Sequence, residues 1–462
     1  MATIRKTSTT GKRSEAGAEG PGGRRRTARQ PRHTRPLAYG LTAVLGAGLL
    51  AGCAQDSGGS SASADGKTTL SVGVFGVFGY KQAGLYDEYE KLHPNIRIKE
   101  NAIERNENYY PALLNHLSAG SGLSDIQAVE VDNISEVAKL HADKFVDMAK
   151  AEGVDKSDWL DWKWNQAKAP GGQVVGLGTD IGPMGICYRK DLFEKAGLPT
   201  ERDEVGKLWQ GDWSKYVETG ERYMKAAPKD TAFTDGAAGL YNGAVSSYPT
   251  KYYDADGKLI YKKSKGVRES WDLAMRAVEG KMTGKLKQFD KEWDQAYANG
   301  AFASVVCPPW MLGYIKEKSG EKAADKWDVA PAPKPGNWGG SFLTVPKGGK
   351  HEKEALKLAQ WLTAPKQQAK LFEKQASFPS AKTAYELPEV KDAKHPYFGD
   401  APIGDIFAEA AEGIPTIPLG PKDGVIKTTI SDIGILQVEQ QGKSPEEGWN
   451  AAVKKIDDVV EN

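Results

Sequence analysis

Residues 68–103 read TTLSVGVFGVFGYKQAGLYDEYEKLHPNIRIKENAI, and their rhythm decides the fold class. Thr68–Phe75 carries β-branched and aromatic residues and stops at Gly76, which predicts a strand. Over Lys81–Leu92 the apolar positions Leu85, Tyr89 and Leu92 recur at helical spacing, and Pro94 ends the run. Ile96–Ile103 alternates as a second strand. Beyond it, Asn108–Ala119 predicts a helix with Pro111 in its first turn, Leu113, Leu114 and Leu117 on one face, and Gly120 as C-cap. Asp125–Val131 then reads as a strand and Ile134–Leu140 as a helix. Three strand–helix pairs in succession imply βαβ units and a parallel sheet. In such sheets the ligand crevice lies outside the carboxyl ends of the strands, which draws attention to Gly76–Tyr80 and Glu130–Asn133.

The rest of the body continues the α/β pattern without an internal repeat. Trp159–Trp164, Trp209, Trp213, Trp271 and Trp293 enrich the middle, with helical spacing in Trp271–Met275–Val278. Ala303–Val306 predicts a strand running into Pro308-Pro309-Trp310, and Phe342–Val345 a short one. A helical pair follows, Glu354–Leu362 and Lys366–Lys374, broken at Pro365. The last helix opens on Ser444-Pro445-Glu446-Glu447, a capping box with proline at the first helical position; Trp449, Val453, Ile456 and Val460 form its buried stripe.

The 462 residues, 39% hydrophobic and 27% charged, describe a globular chain long enough for two or three cores. Its net charge of +1 conceals an asymmetry. Residues 1–52 hold ten Lys/Arg against Glu15 and Glu19, a surplus of eight positive charges, so the remainder is seven negative. A body of that sign releases few counterions from a phosphate backbone, and nucleic-acid binding is not expected. The basic run leads into the uncharged stretch Leu37–Gly52, which ends Leu50-Ala51-Gly52-Cys53. A cationic region, an apolar region and small residues before a cut site mark an export signal. The stretch is short for a transmembrane helix. The expectation is a signal peptide over 1–52, with Sec export favoured over a twin-arginine route despite Arg24–Arg26. Residues 53–66, dominated by Gly, Ser and Ala, form a flexible tether. Cys187 and Cys307 remain as an even pair in an exported body; a disulfide between them is favoured over two buried thiols.

No catalytic or metal-binding constellation is legible. The histidines His93, His116, His141, His351 and His395 are scattered, and there is no HExxH, no GxSxG and no phosphate loop. No metal and no cofactor is expected. Paired carboxylates are harder to exclude, so a secreted glycosidase is the main enzymatic alternative.

The Leu-Ala-Gly-Cys ending resembles a bacterial lipobox, which implies acylation of Cys53 as the mature N-terminus. Residues 67–462 resemble the extracellular solute-binding proteins of carbohydrate-uptake ABC importers, the maltose-binding-protein-like class. Four stretches carry the likeness. They are Leu117–Ile126 (LSAGSGLSDI), Asp180–Pro199 (DIGPMGICYRKDLFEKAGLP, with Arg189 where asparagine is usual), Asn299–Ala303 leading to Trp310, and Gly339-Gly340 through Trp361–Pro365. Glu104–Tyr110 and Gly176–Gly182 are closest to actinobacterial cellobiose and cello-oligosaccharide binders. The resemblance implies an α/β, two-lobed periplasmic-binding-protein-like fold, each lobe a sheet flanked by helices and joined by hinge crossovers. The lobes would be 67–180 plus 345–376 and 183–338 plus 379–462, with hinges near Asp180–Pro183, Gly339–Thr344 and Ser377–Ser380. It implies a non-enzymatic, monomeric receptor on the outer face of the membrane, held only by its lipid. This receptor would capture an oligosaccharide and pass it to permease subunits coupled to a cytoplasmic ATPase. Xylo- and chito-oligosaccharides are alternative ligands, and a surface adhesin or scaffold is an alternative role.

Sugar rings present a C–H face to aromatic side chains and a hydroxyl rim to Asp, Glu, Asn and Arg. Trp310 matches the family's stacking tryptophan, and Trp338 lies in a glycine-rich crossover; either could instead be core. Phe78 and Tyr80 follow the first strand, where simple loop packing is the alternative. Asp132 and Asn133 follow the third strand and would either bind ligand or cap the helix at Ile134. Asn106, Asp180 and Asn242 complete the candidates by loop position and resemblance. Trp271, Trp293 and Trp449 lie on helical stripes and read as core, and Lys262–Lys265 as a solvated face.

Overall fold

The computed structural model describes residues 66–460. The signal peptide, Cys53 and nearly all of the tether lie outside the described residues. Alternating β-branched residues make β1 (Thr68–Phe75), which pairs in parallel with β2 (Ile96–Ile103) from Thr68↔Ile96 to Phe75↔Ile103. On its other side β1 pairs in parallel with β3 (Ile126–Glu130). Helices α1 (Leu85–Leu92), α2 (Asn106–Ala119) and α3 (Val131–Leu140) provide the crossovers. Leu70, Val72 and Val74 of β1, Leu113 of α2 and Ile134 of α3 meet in a single core.

Two further strands complete this sheet in the order β2-β1-β3-β9-β4. They are β4 (Leu177–Gly178) and β9 (Ser341–Thr344), and β9 lies antiparallel to both β3 and β4. A second sheet, ordered β6-β7-β5-β8, is built from β5 (Gly185–Arg189), β6 (Ala232–Thr234), β7 (Phe302–Cys307) and β8 (Trp327–Pro331). Here β5 runs antiparallel to both β7 and β8, and β6 parallel to β7. Its core is aromatic, with Trp209, Trp213, Tyr216, Phe233 and Trp327 buried together. Cys187 and Cys307 are joined by a disulfide across β5 and β7. A smaller cluster under the C-terminal helix buries Trp271, Ile430 and Ile456.

The helix that opens at Ser444 has the expected cap: Glu447 accepts from the Ser444 amide at 2.8 Å, and Ser444 Oγ accepts from the Glu447 amide at 3.2 Å. Trp271 and Trp293 are core, as their spacing predicts, while Lys262, Lys263 and Lys265 are exposed. The helical pair spans Glu352–Leu362 and Pro365–Gln375. The second of these helices serves both cores, Leu371 facing the first and Ala369 and Phe372 the second.

The chain passes between the sheets in three segments that run side by side. Ile181 donates its amide to the Phe378 carbonyl at 2.9 Å, and Trp338 to the Gly182 carbonyl at 2.8 Å. The Asp180 carboxylate accepts from the Ser341 amide at 2.9 Å. Gly182 is required here, because a Cβ would sit 1.8 Å from the Trp338 carbonyl oxygen.

Candidate ligand-binding site

In the first sheet's crossovers three helix starts differ from the sequence reading, and two of the differences place functional groups. Helix α1 starts at Leu85, not Lys81, after a turn in which Gly84 is left-handed. Helix α2 starts at Asn106, so this residue occupies a first helical turn and not a loop. Helix α3 begins at Val131, directly after β3, so Asp132 and Asn133 lie inside its first turn and do not cap it. Their side chains are thereby released for other partners. Asn106 donates its amide to the Glu130 carboxylate and to Asn133 Oδ1, the latter at 2.8 Å. Asp132 receives Lys427 Nζ at 2.6 Å from the helix Asp423–Thr429, 295 residues away in sequence.

These groups border a narrow cavity between the two sheets, with about 30 Å³ of free space in this closed form. Trp162, Asn242, Trp338, Asp132, Lys427 and Gln166 are among the residues on its wall. The segment Ile414–Leu419 contributes an apolar edge through Ile414, Pro415, Ile417 and Leu419. The wall therefore combines two tryptophans with carboxylate, amide and ammonium groups. Gln166 Oε1 on this wall and Asn106 Oδ1 nearby are buried without a hydrogen-bond partner. Buried polar atoms in that condition cost about 1–3 kcal/mol each, so the site is prepared for hydroxyl or amide donors.

Of the residues singled out in sequence, Asp132, Asn242 and Trp338 line the cavity. Trp310 opens the helix Trp310–Ser319 beside it and donates its indole N–H to the Trp338 carbonyl at 3.2 Å. Asn106 and Asn133 support the cavity through Glu130, and Asp180 sits at the crossing segments. Phe78 and Tyr80 are not on the wall. Tyr80 is fully buried in the first core, and Phe78 packs between Phe75 and Tyr80 at ring distances of 5.2 and 5.8 Å. Glycines at 76 and 79 turn this segment inward, so the aromatic rings pack against the core and not toward the crevice.

Sequence reasoning missed Trp162, Gln166, Lys251 and Lys427, while Glu130 lies in the stretch 130–133 to which it draws attention. Trp162 had a signal in the Trp159–Trp164 run; on the short helix α4 (Asp161–Gln166), Trp164 enters the core while Trp162 reaches the cavity. The lysines had none, because each acts across the chain.

The electrostatics of the floor follow from burial. Burial and then the adjacent Asp132 charge push the Glu130 carboxyl up to about 7, against the pull of Lys427. Burial acts on Asp132 too, yet Lys427 and Lys251 outweigh it and hold that carboxyl below its ordinary range. Lys163 of α4 is fully buried over the Phe342 ring, 3.8 Å from its centroid, with Nζ unpartnered. Burial brings its ammonium down to about 7 despite Asp180 and Glu130. A depressed lysine lowers stability as pH falls from the unfolded value of about 10.5 toward 7, because the unfolded chain binds that proton more readily. Lys163→Met is therefore expected to melt a few degrees above the parent at pH 7. It should also lack the parent's gain between pH 7 and 9.5, as thermal unfolding at the two pH values will show.

Contacts between the two bodies border the cavity and continue along their seam. Ser135 Oγ and Lys139 Nζ donate to the Leu419 carbonyl at 3.0 and 2.7 Å. Elsewhere along the seam Arg105 donates to the Phe289 carbonyl at 2.6 Å and approaches Asp290 at 3.4 Å. The result is an aromatic, hydrogen-bonding cleft between two α/β bodies. Comparison with known proteins agrees. Residues 84–398 match the family model of the bacterial extracellular solute-binding proteins. The chain belongs to that family.

This solute-binding protein is similar to a solved extracellular solute-binding protein of family 1, with 39% identity and a TM-score of 0.75 over 84% of this chain and 99% of the other. It shares its two-lobed fold with the ABC transporter associated binding protein of B. animalis subsp. lactis Bl-04, solved in complex with β-1,6-galactobiose. That match has 23% identity and a TM-score of 0.70, over 85% of this chain and 97% of that one. Among curated proteins it resembles the lactose-binding protein of Rhizobium radiobacter, 25% identical over 56% of this chain. The match spans 62% of that relative's own length. The family is one of binding proteins, and the glycosidase reading is set aside. Among the described residues no helix is long and apolar enough to cross a membrane.

Proposed function

We propose that this solute-binding protein is the sugar receptor of an ABC importer, capturing a cellobiose or cello-oligosaccharide chain between two lobes. The lobes are 67–180 plus 341–376, widened from the sequence reading to take in β9 of the first sheet, and 183–338 plus 379–462, and they swing about the three crossing segments. The receptor hands its ligand to permease subunits served by a cytoplasmic ATPase, and an acylated Cys53 tethers the monomer to the outer face of the membrane. One observation carries the reading: two indoles, Trp162 and Trp338, share a cavity wall with Asp132, Asn242 and Lys427. Flat apolar faces opposed to fixed polar groups suit a ligand with a C–H face and a hydroxyl rim. Ligand that touches both lobes only in the closed form shifts the population toward it by its differential affinity. The names of similar proteins point the same way, to lactose, arabinooligosaccharide and galactobiose. Cello-oligosaccharides are favoured by the stretches Glu104–Tyr110 and Gly176–Gly182.

A thermal-shift panel of cello-, xylo- and chito-oligosaccharides tests this. Micromolar binding corresponds to about 8 kcal/mol, and ligand at a thousand times Kd stabilises the folded state by about 4 kcal/mol. A rise of several degrees is expected with the cello series at millimolar ligand. A rise only with xylo- or chito-oligosaccharides would reassign the sugar. No shift with any di- to tetrasaccharide would refute the receptor role.

A further inference from the structure

We propose that Phe289, at the seam between the two bodies, is an outer stacking platform for the next ring of an oligosaccharide longer than the inner cavity holds, and so sets the preferred chain length. This rests on the oligosaccharide reading above. Phe289 is 40% exposed, the single aromatic among the large exposed hydrophobic residues described. Its backbone has φ 68°, a region that bulky side chains rarely enter and that persists where surrounding contacts impose it. Those contacts are present. Gln288 donates to the buried Asp235 at 2.8 Å, Lys287 pairs with Asp432 at 3.0 Å, and Arg105 grips the Phe289 carbonyl from the opposite body.

The ring held in this way is linked to the cavity wall through Trp310. Its plane lies 29° from that of Trp310 at a centroid distance of 6.2 Å. Trp310 in turn is bonded to Trp338, which lines the cavity. An aromatic path thus leads from the inner wall outward and ends on an exposed ring. Across from it stands Arg105, the residue before Asn106, so donors of one body face the aromatic end of the other. A pyranose placed there would cover Phe289 with its C–H face and offer its hydroxyl rim to the Arg105 guanidinium.

Calorimetric titration of the full chain with cellobiose and cellotetraose, and with the xylose and chitin counterparts, tests the assignment. The parent is expected to bind the tetramer of its series at least fivefold more tightly than the dimer. Phe289→Ala should lose that preference while holding the dimer within twofold, and Phe289→Tyr, which keeps a flat face, should restore it. Equal weakening of dimer and tetramer would make Phe289 a closing contact and overturn the inference alone. So would a dimer bound as well as the tetramer by the parent. Absence of binding by every series would overturn the oligosaccharide reading and this inference with it.

Discussion

Trp338→Ala is expected to weaken oligosaccharide binding at least tenfold, and Trp338→Phe to recover part of the loss. The indole is 6% exposed and forms the cavity wall. With the lobes apart the indole would be uncovered, and covering it again with a sugar's C–H face would remove apolar area worth about 25 cal/mol per Å², or roughly 1–2 kcal/mol per stacked ring. A tenfold change in affinity corresponds to about 1.4 kcal/mol, so the loss of one face suffices. The substitution also removes the support of Trp310, whose ring lies 6.3 Å from Trp338 in an edge-on arrangement. Trp310→Ala is therefore expected to weaken binding by a similar factor through the same aromatic pair. Calorimetry on both variants checks this, with melting curves as the control for folding. Unchanged affinity in both would remove the aromatic wall from the mechanism.

Opening the Cys187–Cys307 bridge is the second large effect. The bond ties β5 to β7 and closes a loop with a sequence separation of 120. In the chain-entropy account, releasing such a loop in the unfolded ensemble costs about 5 kcal/mol of stability. For a body of this size that corresponds to a melting temperature about 5–10 °C lower. Cys307 also precedes Pro308-Pro309-Trp310, so the bridge steadies the approach to the cleft. The double variant Cys187→Ser/Cys307→Ser, followed by calorimetric unfolding, is expected to show this drop. A melting temperature within 1 °C of the parent would mean that the bridge does not form in the exported protein.

The parts of the molecule legible in sequence were those with local causes. The β1–α1–β2–α2–β3 run follows from periodicity and stop signals within single segments. The cap at Ser444 follows from four adjacent residues. The features that escaped were made by distance. Strand β9 enters the first sheet antiparallel from a point more than 200 residues after β3, which no local pattern announces. Lys427 reaches Asp132 across the cavity, and until it does, an aspartate after a strand reads equally well as a helix cap. Trp162 and Trp164 share one short helix and one composition, and only the position of the neighbouring body separates wall from core. For Tyr80 the sequence leaves crevice lining and loop packing equally open, and the left-handed glycines at 76 and 79, which fold the segment inward, decide for packing.

Isothermal titration of the unmodified protein with cellotriose at two temperatures bears most directly on the claim that a sugar is enclosed between the two bodies. One-to-one binding whose enthalpy becomes more favourable on warming, the negative heat-capacity change of buried apolar surface, is the expected result. Silence at both temperatures with cellotriose, xylotriose and chitotriose alike would contradict it.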